Sequence, residues 1–456
     1  MTIIEKLSQY ALWFMDADIQ EGALKEAKKH IIDTLGCIIS GSTDPMIESI
    51  CRYAEQLNSA PTAAILAPKS IYTDMKTAAF VNSISAHLRD YDDMSSTMNG
   101  HPSVIALPAA MAAAWGAKAD GNQLLRAYIA GVEVMSALGR SVSIRLDELG
   151  FNATSVLGVF GAAVSAGCLM GLSEEVLANA LAIALGEASG TKGHFGTPCK
   201  DVTIGHTCAK GVFSAQMAAC GIKANLDILG IAKGVLFGRE KLDYSATEEA
   251  INSRTMDFIA PGIVLKPYPS CRGNHAAIDI LISLMDEEGL SGEDIESIRC
   301  RVGRFAMETD RYPIPDSPME GKFSIPYCLA LLLHKGSVEI EDFVGEEIKE
   351  REQLLPLMER ISVAEDASFG SENASGVELV IKTKDGRYFV QRRNHASGDP
   401  RTPLDQEALY KKFIQCKGAV MTDIEAQFLY AVWMDLECQK FEEWSNTLIN
   451  INKHSA

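Results

Sequence analysis

A chain of 456 residues exceeds the roughly 250 to 300 at which a single core stops growing, so two domains are expected, and a hydrophobic fraction of 47% can fill both. A formal net charge of −18 sets nucleic acid and anionic membrane aside as partners, because both require a dense basic surface. Eleven cysteines without a C-x-x-C pair, several inside apolar runs (Cys37, Cys168, Cys328), have the usage of reduced, buried thiols in a cytoplasmic protein.

The first residues, MTIIEKLSQYALWFMDAD, combine acidic side chains with helical amphipathicity, so no targeting segment is expected there. Helices are predicted at about 3–15 and 20–40, the second with Leu24, Ala27, Ile31, Leu35 and Ile38 on one face and Gly41 as a left-handed cap. Further helices at about 44–58, 72–88, 103–117, 121–140, 153–170, 173–187 and 206–221 make this half all-α. Residues 155–173 carry no charge, but four Gly, three Ala and three Ser suit a closely packed internal helix rather than a membrane span.

The pattern changes near Pro261. Residues 295–305 and 377–391 alternate apolar and polar positions, and Asp385-Gly386 between two such runs predicts a hairpin. Helices are predicted between them at 324–333 and 343–358, and after them at 404–413 and 424–448. The expected fold is mainly α: a large all-helical domain built from both termini (1–266 and 400–456), with a smaller inserted α+β domain at 267–399. The C-terminal helices rejoin the first domain because alone they would make too small a core.

Residues able to do chemistry collect in loops. Asp90, Asp92, Asp93 and His101 share one polar connection between two core helices. Lys200 stands in HFGTPCKDVTIGH, ahead of a helix predicted to begin near His206, where free N–H groups and an ammonium together suit a carboxylate. His275 opens an apolar helix in KPYPSCRGNHAAIDILISL, with Lys266 and Arg272 beside it, and Tyr327 opens another in GKFSIPYCLALLL, near Lys322. No Walker loop, dinucleotide fingerprint, G-x-S-x-G elbow or H-E-x-x-H is present, which leaves cofactor-free acid/base chemistry or an Asp-bound metal. D-x-D-D on a helical scaffold also fits a Mg²⁺-diphosphate or terpene-type site, although only 7% of the chain is aromatic and could line a carbocation cavity.

In order along the chain, DYDD…GHPSVIALPA, GTPCK…IGHTCAKG, KPYPSCRGNHAAID and KFSIPYCLA resemble the four signature blocks of the MmgE/PrpD family. That family includes 2-methylcitrate dehydratases, cis-aconitate decarboxylases and iminodisuccinate epimerase. The resemblance implies a homodimer that uses no organic cofactor or metal and takes a small anionic carboxylate. It matches Asp90, His101, Lys200, His275 and Tyr327 to the family's catalytic positions, with Asp93, Asn152, Arg272 and Lys266 as substrate-binding neighbours. Met94 stands where decarboxylase-like members have Thr, Asn152 where they have His, and Thr203 where many have His. The implied activity is abstraction of a proton α to a carboxylate of a di- or tricarboxylate, first by a 2-methylcitrate-dehydratase-like lyase. An epimerase of the iminodisuccinate kind, a cis-aconitate-type decarboxylase and a dimer that binds a polycarboxylate without turnover are the alternatives. His275 is expected to act as the base and His101, kept protonated by its aspartates, as the acid.

Overall fold

The computed structural model describes residues 1–67, 71–231, 242–370 and 373–449. It is mainly helical with a small sheet region, and its chain gathers into two units: Met1–Leu88, Asp92–Ile263 and Gln406–Ala456 in the first, Arg89–Tyr91 and Val264–Asp405 in the second.

Up to Ala219 the first unit runs through the helices α1 (Ile3–Asp16), α2 (Glu21–Ser42), α3 (Pro45–Gln56), α4 (Met75–His87), α5 (Ser103–Ala117), α6 (Gly121–Glu148), α7 (Ala153–Leu169), α8 (Glu174–Glu187) and α9 (Cys199–Ala219). Several starts are written in the sequence as caps. Thr2 with Glu5 and Asp120 with Gln123 form capping boxes, and Asp44 caps α3 with Pro45 as its first residue. Every residue of α7 is buried, which its glycines permit: a Cβ at Gly158 would lie 2.9 Å from Thr207 of α9 and 3.0 Å from Ile105 of α5. Among the described residues no helix is long and apolar enough to cross a membrane. The helix Gln406–Lys417 returns to α2, where Phe413 and Cys416 pack over Gly36 and the Lys412 ammonium lies 2.5 Å from the buried Asp33 carboxylate.

Helices α4 and α9 meet at Gly205, whose missing side chain leaves room for the backbone of α4. A Cβ there would sit 2.6 Å from the Phe80 carbonyl oxygen. Gly205→Ala is therefore expected to destabilise the protein by about 1–3 kcal/mol through overpacking, seen as a lowered Tm; an unchanged Tm would show that the two helices separate without cost.

Gly41 lies within α2, which runs on to Ser42, instead of capping it in the left-handed region, and further expectations for this unit are also corrected. It is not all-α, since Ala63–Ile65 (β1) pairs antiparallel with Ile71–Thr73 (β2), each too short to show alternation. Helix α6 runs on to Glu148, and a helix at Ser245–Ser253 had no strong periodic signal. The run 424–448 is two helices, Asp423–Met434 and Phe441–Ile449, because the backbone leaves the helical region at Asp435 while the apolar period continues across the break. Helix α9 begins at Cys199, not near 206; Pro198, already near helical angles, starts it. The β-branched Val202, Thr203 and Ile204 of its first turns obscured that start.

In the second unit a mixed four-stranded sheet runs in the order β4-β3-β5-β6, with β3 at Ile295–Val302, β4 at Ile361–Glu365, β5 at Val377–Thr383 and β6 at Tyr388–Arg393. β3 is parallel to β4 and antiparallel to β5, and β5 and β6 form the hairpin, with Val380 opposite Val390 and Gly386 at φ 89° in the turn. Alternate residues Val377, Leu379 and Ile381 of β5 are buried in one core with Ile278 and Leu281 of the helix Arg272–Glu288 and Leu329 of the helix Ile325–Lys335. The stretch 343–358 is helical only at Arg351–Met358, since Gly345 at φ 106° interrupts it. Strand β4 was not anticipated, because its exposed flank ISVAE alternates only weakly.

Candidate active site

The first unit contributes a chain of imidazoles and carboxylates at the junction of α4 and α5. His87, the last residue of α4, has Nδ1 3.0 Å from Asp92 Oδ2, and His101 has Nδ1 2.9 Å from the same oxygen. The two rings meet edge to face with centroids 4.8 Å apart. Burial opposes ionisation of Asp92, which is fully enclosed, but the two imidazoles outweigh it and hold its carboxyl well below the usual range.

Burial pushes the His87 imidazole down to about 4 against the pull of Asp92, and Lys200 adds to the depression. His87 is thus neutral near pH 7. Its Nδ1–H donates to Asp92, and its Nε2 is buried with no hydrogen-bond partner among the described residues. His101 Nδ1 also lies 2.8 Å from the Asp93 carbonyl oxygen, which can only accept, so this nitrogen carries the proton. Its Nε2 is the one left for a substrate. With 18% of its side chain exposed, His101 is the accessible member of the chain.

The surrounding residues hold this arrangement. Asp93 accepts from His30 Nδ1 at 2.8 Å and from the Ser103 hydroxyl and N–H at 2.5 and 3.2 Å, tying the loop to α2 and to the first residue of α5. Its carboxylate is fully buried and engaged in that anchoring. Asn152 Oδ1 accepts from Thr154 N–H at the start of α7, and the Thr154 hydroxyl accepts from the His101 N–H at 2.9 Å. Gly100 is required beside them, since a Cβ would lie 2.6 Å from that hydroxyl. Lys200 sits in the first turn of α9, 7% exposed, its ammonium 5.6 Å from the centre of the Phe195 ring. It lies in a helix rather than in the loop expected ahead of one. Thr203 donates within the same helix to the Cys199 carbonyl.

The second unit holds another group. Asp90 is in the left-handed region at φ 52°, a conformation that Asp adopts more readily than most residues. Lys266 Nζ donates to its carbonyl oxygen at 2.8 Å and stands 3.4 Å from its carboxylate. His275 is fully buried in the first turn of its helix. Its Nε2 is 3.1 Å from the Ser270 carbonyl, so that nitrogen donates, and Nδ1, the lone-pair nitrogen, has no partner among the described residues. Burial, then the charge of Lys266 and to a lesser degree that of Arg272, keep this imidazole well below its usual range and therefore neutral.

Arg272 is paired with Asp399, which Arg401 also contacts at 2.7 Å. The Tyr327 hydroxyl donates to the Asp342 carbonyl at 2.9 Å rather than to the Asp90–Lys266–His275 group.

Sequence reading missed His87 and His30. His87 is a lone imidazole on a helix of small residues, which was the available signal; His30 is 63 positions from its partner Asp93, which no local pattern reports. The three aspartates of D-x-D-D do not act as one acidic cluster. The Asp92 and Asp93 carboxylates serve different imidazoles, and Asp90 belongs to the other unit. Among the described residues the grouping nearest to a metal site is His87, Asp92 and His101, with ligand atoms within 4.8 Å of one another. The Asp93 carbonyl at His101 Nδ1 requires a proton on that nitrogen, so the Nδ1 atoms of both rings are engaged in a hydrogen-bonded chain through Asp92 and the Nε2 atoms are the ones left.

That state of His87 gives a pH dependence. A histidine whose folded value is depressed binds its proton in the unfolded chain first, so stability should fall as pH drops from about 6.5 towards 4, by as much as about 3 kcal/mol. In His87→Gln this acid limb should flatten; an identical limb in urea titrations of both proteins would place the titrating group elsewhere.

Comparison with known proteins agrees along most of the chain. The family model for the MmgE/PrpD N-terminal domain matches residues 5–240, and that for the MmgE/PrpD C-terminal domain matches residues 268–433. Similar curated proteins include the cis-aconitate decarboxylase of Homo sapiens, 28% identical across 87% of this chain and 83% of its own length. That of Mus musculus is 26% identical across 87% and 82%, and that of Aspergillus terreus 23% identical across 88% and 86%.

Proposed function

The chain belongs to the MmgE/PrpD family, and from that premise we propose that it is an acid/base enzyme that removes a proton from the carbon next to a carboxylate of a di- or tricarboxylate. The observation that carries this reading is the opposite preparation of two imidazoles. His275 is neutral with an unpartnered Nδ1 lone pair, the form a base needs. His101 is fixed by Asp92 and the Asp93 carbonyl through Nδ1, so that Nε2 can deliver a proton while the carboxylate stabilises the imidazolium.

The cations that depress His275 also give an anionic substrate a partner. A carboxylate that pairs with Lys266 would relieve that depression and make the imidazole a stronger base as it binds. Lys200 is assigned to negative charge spreading onto the substrate carboxylate as the proton leaves.

The reaction read first is dehydration of a 2-methylcitrate-like hydroxy acid. His275 takes the α-proton, the C–OH bond breaks, the hydroxyl leaves as water with a proton from His101, and a C=C bond forms. Asn152 favours this over decarboxylation, since its side chain caps α7 where decarboxylase-like members of the family resembled carry an imidazole. The second reading is decarboxylation of cis-aconitate, favoured by the names of the relatives. There CO₂ leaves and His101 protonates the remaining carbanion.

Incubation with 2-methylcitrate, citrate and cis-aconitate, followed by NMR of products and by release of CO₂, separates the two. Loss of water from a hydroxy acid is expected. Release of CO₂ from cis-aconitate without dehydration would select the second reading, and no reaction with any tricarboxylate would count against both.

A further inference from the structure

The first unit has a second concave site that the proposed chemistry does not use. A cavity of about 520 Å³ is walled by α3, α4, α8 and α9, a volume within the usual range of small-molecule sites. Tyr53, Phe80 and Phe213 bring three rings to its apolar wall. Lys76, His206 and Lys210 converge on it, with Glu187 as the one carboxylate among the described residues that line it. Such a concentration of bases stands out on a chain of net charge −18.

The placement follows from helix geometry. Val202, His206, Ala209, Lys210 and Phe213 recur at helical spacing, so they lie along one face of α9, and Lys76 and Phe80 do the same on α4. The Lys210 ammonium donates to the Glu187 carbonyl and the Ser189 hydroxyl, both at 3.1 Å. Both acceptors are neutral, which leaves a third N–H and the full charge for another partner. Burial, then Lys210, and more weakly Lys76, lower the His206 imidazole against the pull of Glu187. With His206 neutral, two ammonium groups against one carboxylate leave the described lining residues with one net positive charge.

We propose that this cavity binds an organic monoanion with an apolar body, a carboxylate on an aromatic group. The carboxylate is held by Lys76 and Lys210 with His206 beside them, and the body lies against Tyr53, Phe80 and Phe213. One net positive charge suits a monocarboxylate, which separates this ligand class from the di- or tricarboxylate assigned to the candidate active site. Lys200 is on α9 as well, six residues before His206 and about 9 Å along the axis, so both sites share a helix but no residue.

Calorimetric titration of the full-length protein with phenylacetate tests this. The expected result is one saturable site per chain, with binding at least ten-fold weaker for phenylacetamide, which lacks the charge, and for acetate, which lacks the ring. Lys76→Met and Lys210→Met should each weaken phenylacetate at least ten-fold, with turnover of a tricarboxylate unchanged in Lys76→Met, whereas Lys200→Ala should leave phenylacetate binding intact. Absence of saturable binding, equal binding of the neutral amide, or a loss in Lys200→Ala with none in Lys76→Met would overturn the proposal. Because activity is read separately, failure here leaves the assigned reaction untouched, and failure of that reaction leaves this site standing.

Discussion

Asp92→Asn should lower kcat by about 10²–10⁴-fold, the range associated with losing a positioned acid/base group, with little change in Tm. The two side chains have the same shape, so the buried pocket between His87 and His101 stays filled. What changes is charge. Both imidazoles direct Nδ1 at one carboxylate oxygen, and an amide oxygen in that place can still accept but no longer stabilises a positive ring. The His101 imidazolium loses its counter-ion, and the alternative amide orientation would set a third N–H donor against the two Nδ1–H donors, which drives the proton off Nδ1 and disfavours the imidazolium that delivers a proton from Nε2. Steady-state kinetics and thermal melts together check this. A variant with wild-type kcat would remove Asp92 from the mechanism, whereas a collapsed Tm would make the His87–Asp92–His101 chain a support of the fold.

The two histidines should fail in different ways. His275→Gln is expected to lose both turnover and exchange of the substrate α-proton with D₂O, because the neutral lone pair at Nδ1 is what accepts that proton. His101→Gln is expected to lose turnover by about 10²–10⁴-fold yet retain exchange, since abstraction and return of the proton do not require the acid that completes the reaction. Retained exchange in His275→Gln with none in His101→Gln would reverse the roles. Full activity in both would remove the pair from the site.

Much of the chain is legible locally, and the exceptions have physical causes. Caps such as Thr2 and Asp120, the buried small-residue run of α7 and the Asp385-Gly386 turn act within a few residues of themselves, so their consequences can be read in order along the sequence. The family could be named from four short blocks for the same reason, since each block joins a loop to the start of a helix. What stayed hidden depends on distant partners. Strands of three residues carry no period, the end of a helix at Asp435 leaves the apolar pattern running on, and the pairing of His30 with Asp93 exists only once α2 lies beside the loop.

At the candidate site, residue types could be listed from the sequence, but their states could not. That His87 is neutral, that Asp93 is fully occupied in anchoring α5 and that the Tyr327 hydroxyl is turned to the Asp342 carbonyl follow from burial and long-range hydrogen bonds. Lys200, expected in a loop ahead of a helix, stands instead in the first turn of α9, where its charge reaches His87.

The central claim is chemistry at a carbon adjacent to a carboxylate, and the most direct measurement is exchange at that carbon. Wild-type protein incubated in D₂O with a panel of di- and tricarboxylates, followed by ¹H NMR, should wash deuterium into the α-position of at least one of them, and His275→Gln should abolish the exchange. Absence of exchange into every member of the panel, or exchange that persists unchanged in His275→Gln and His101→Gln alike, would contradict the account.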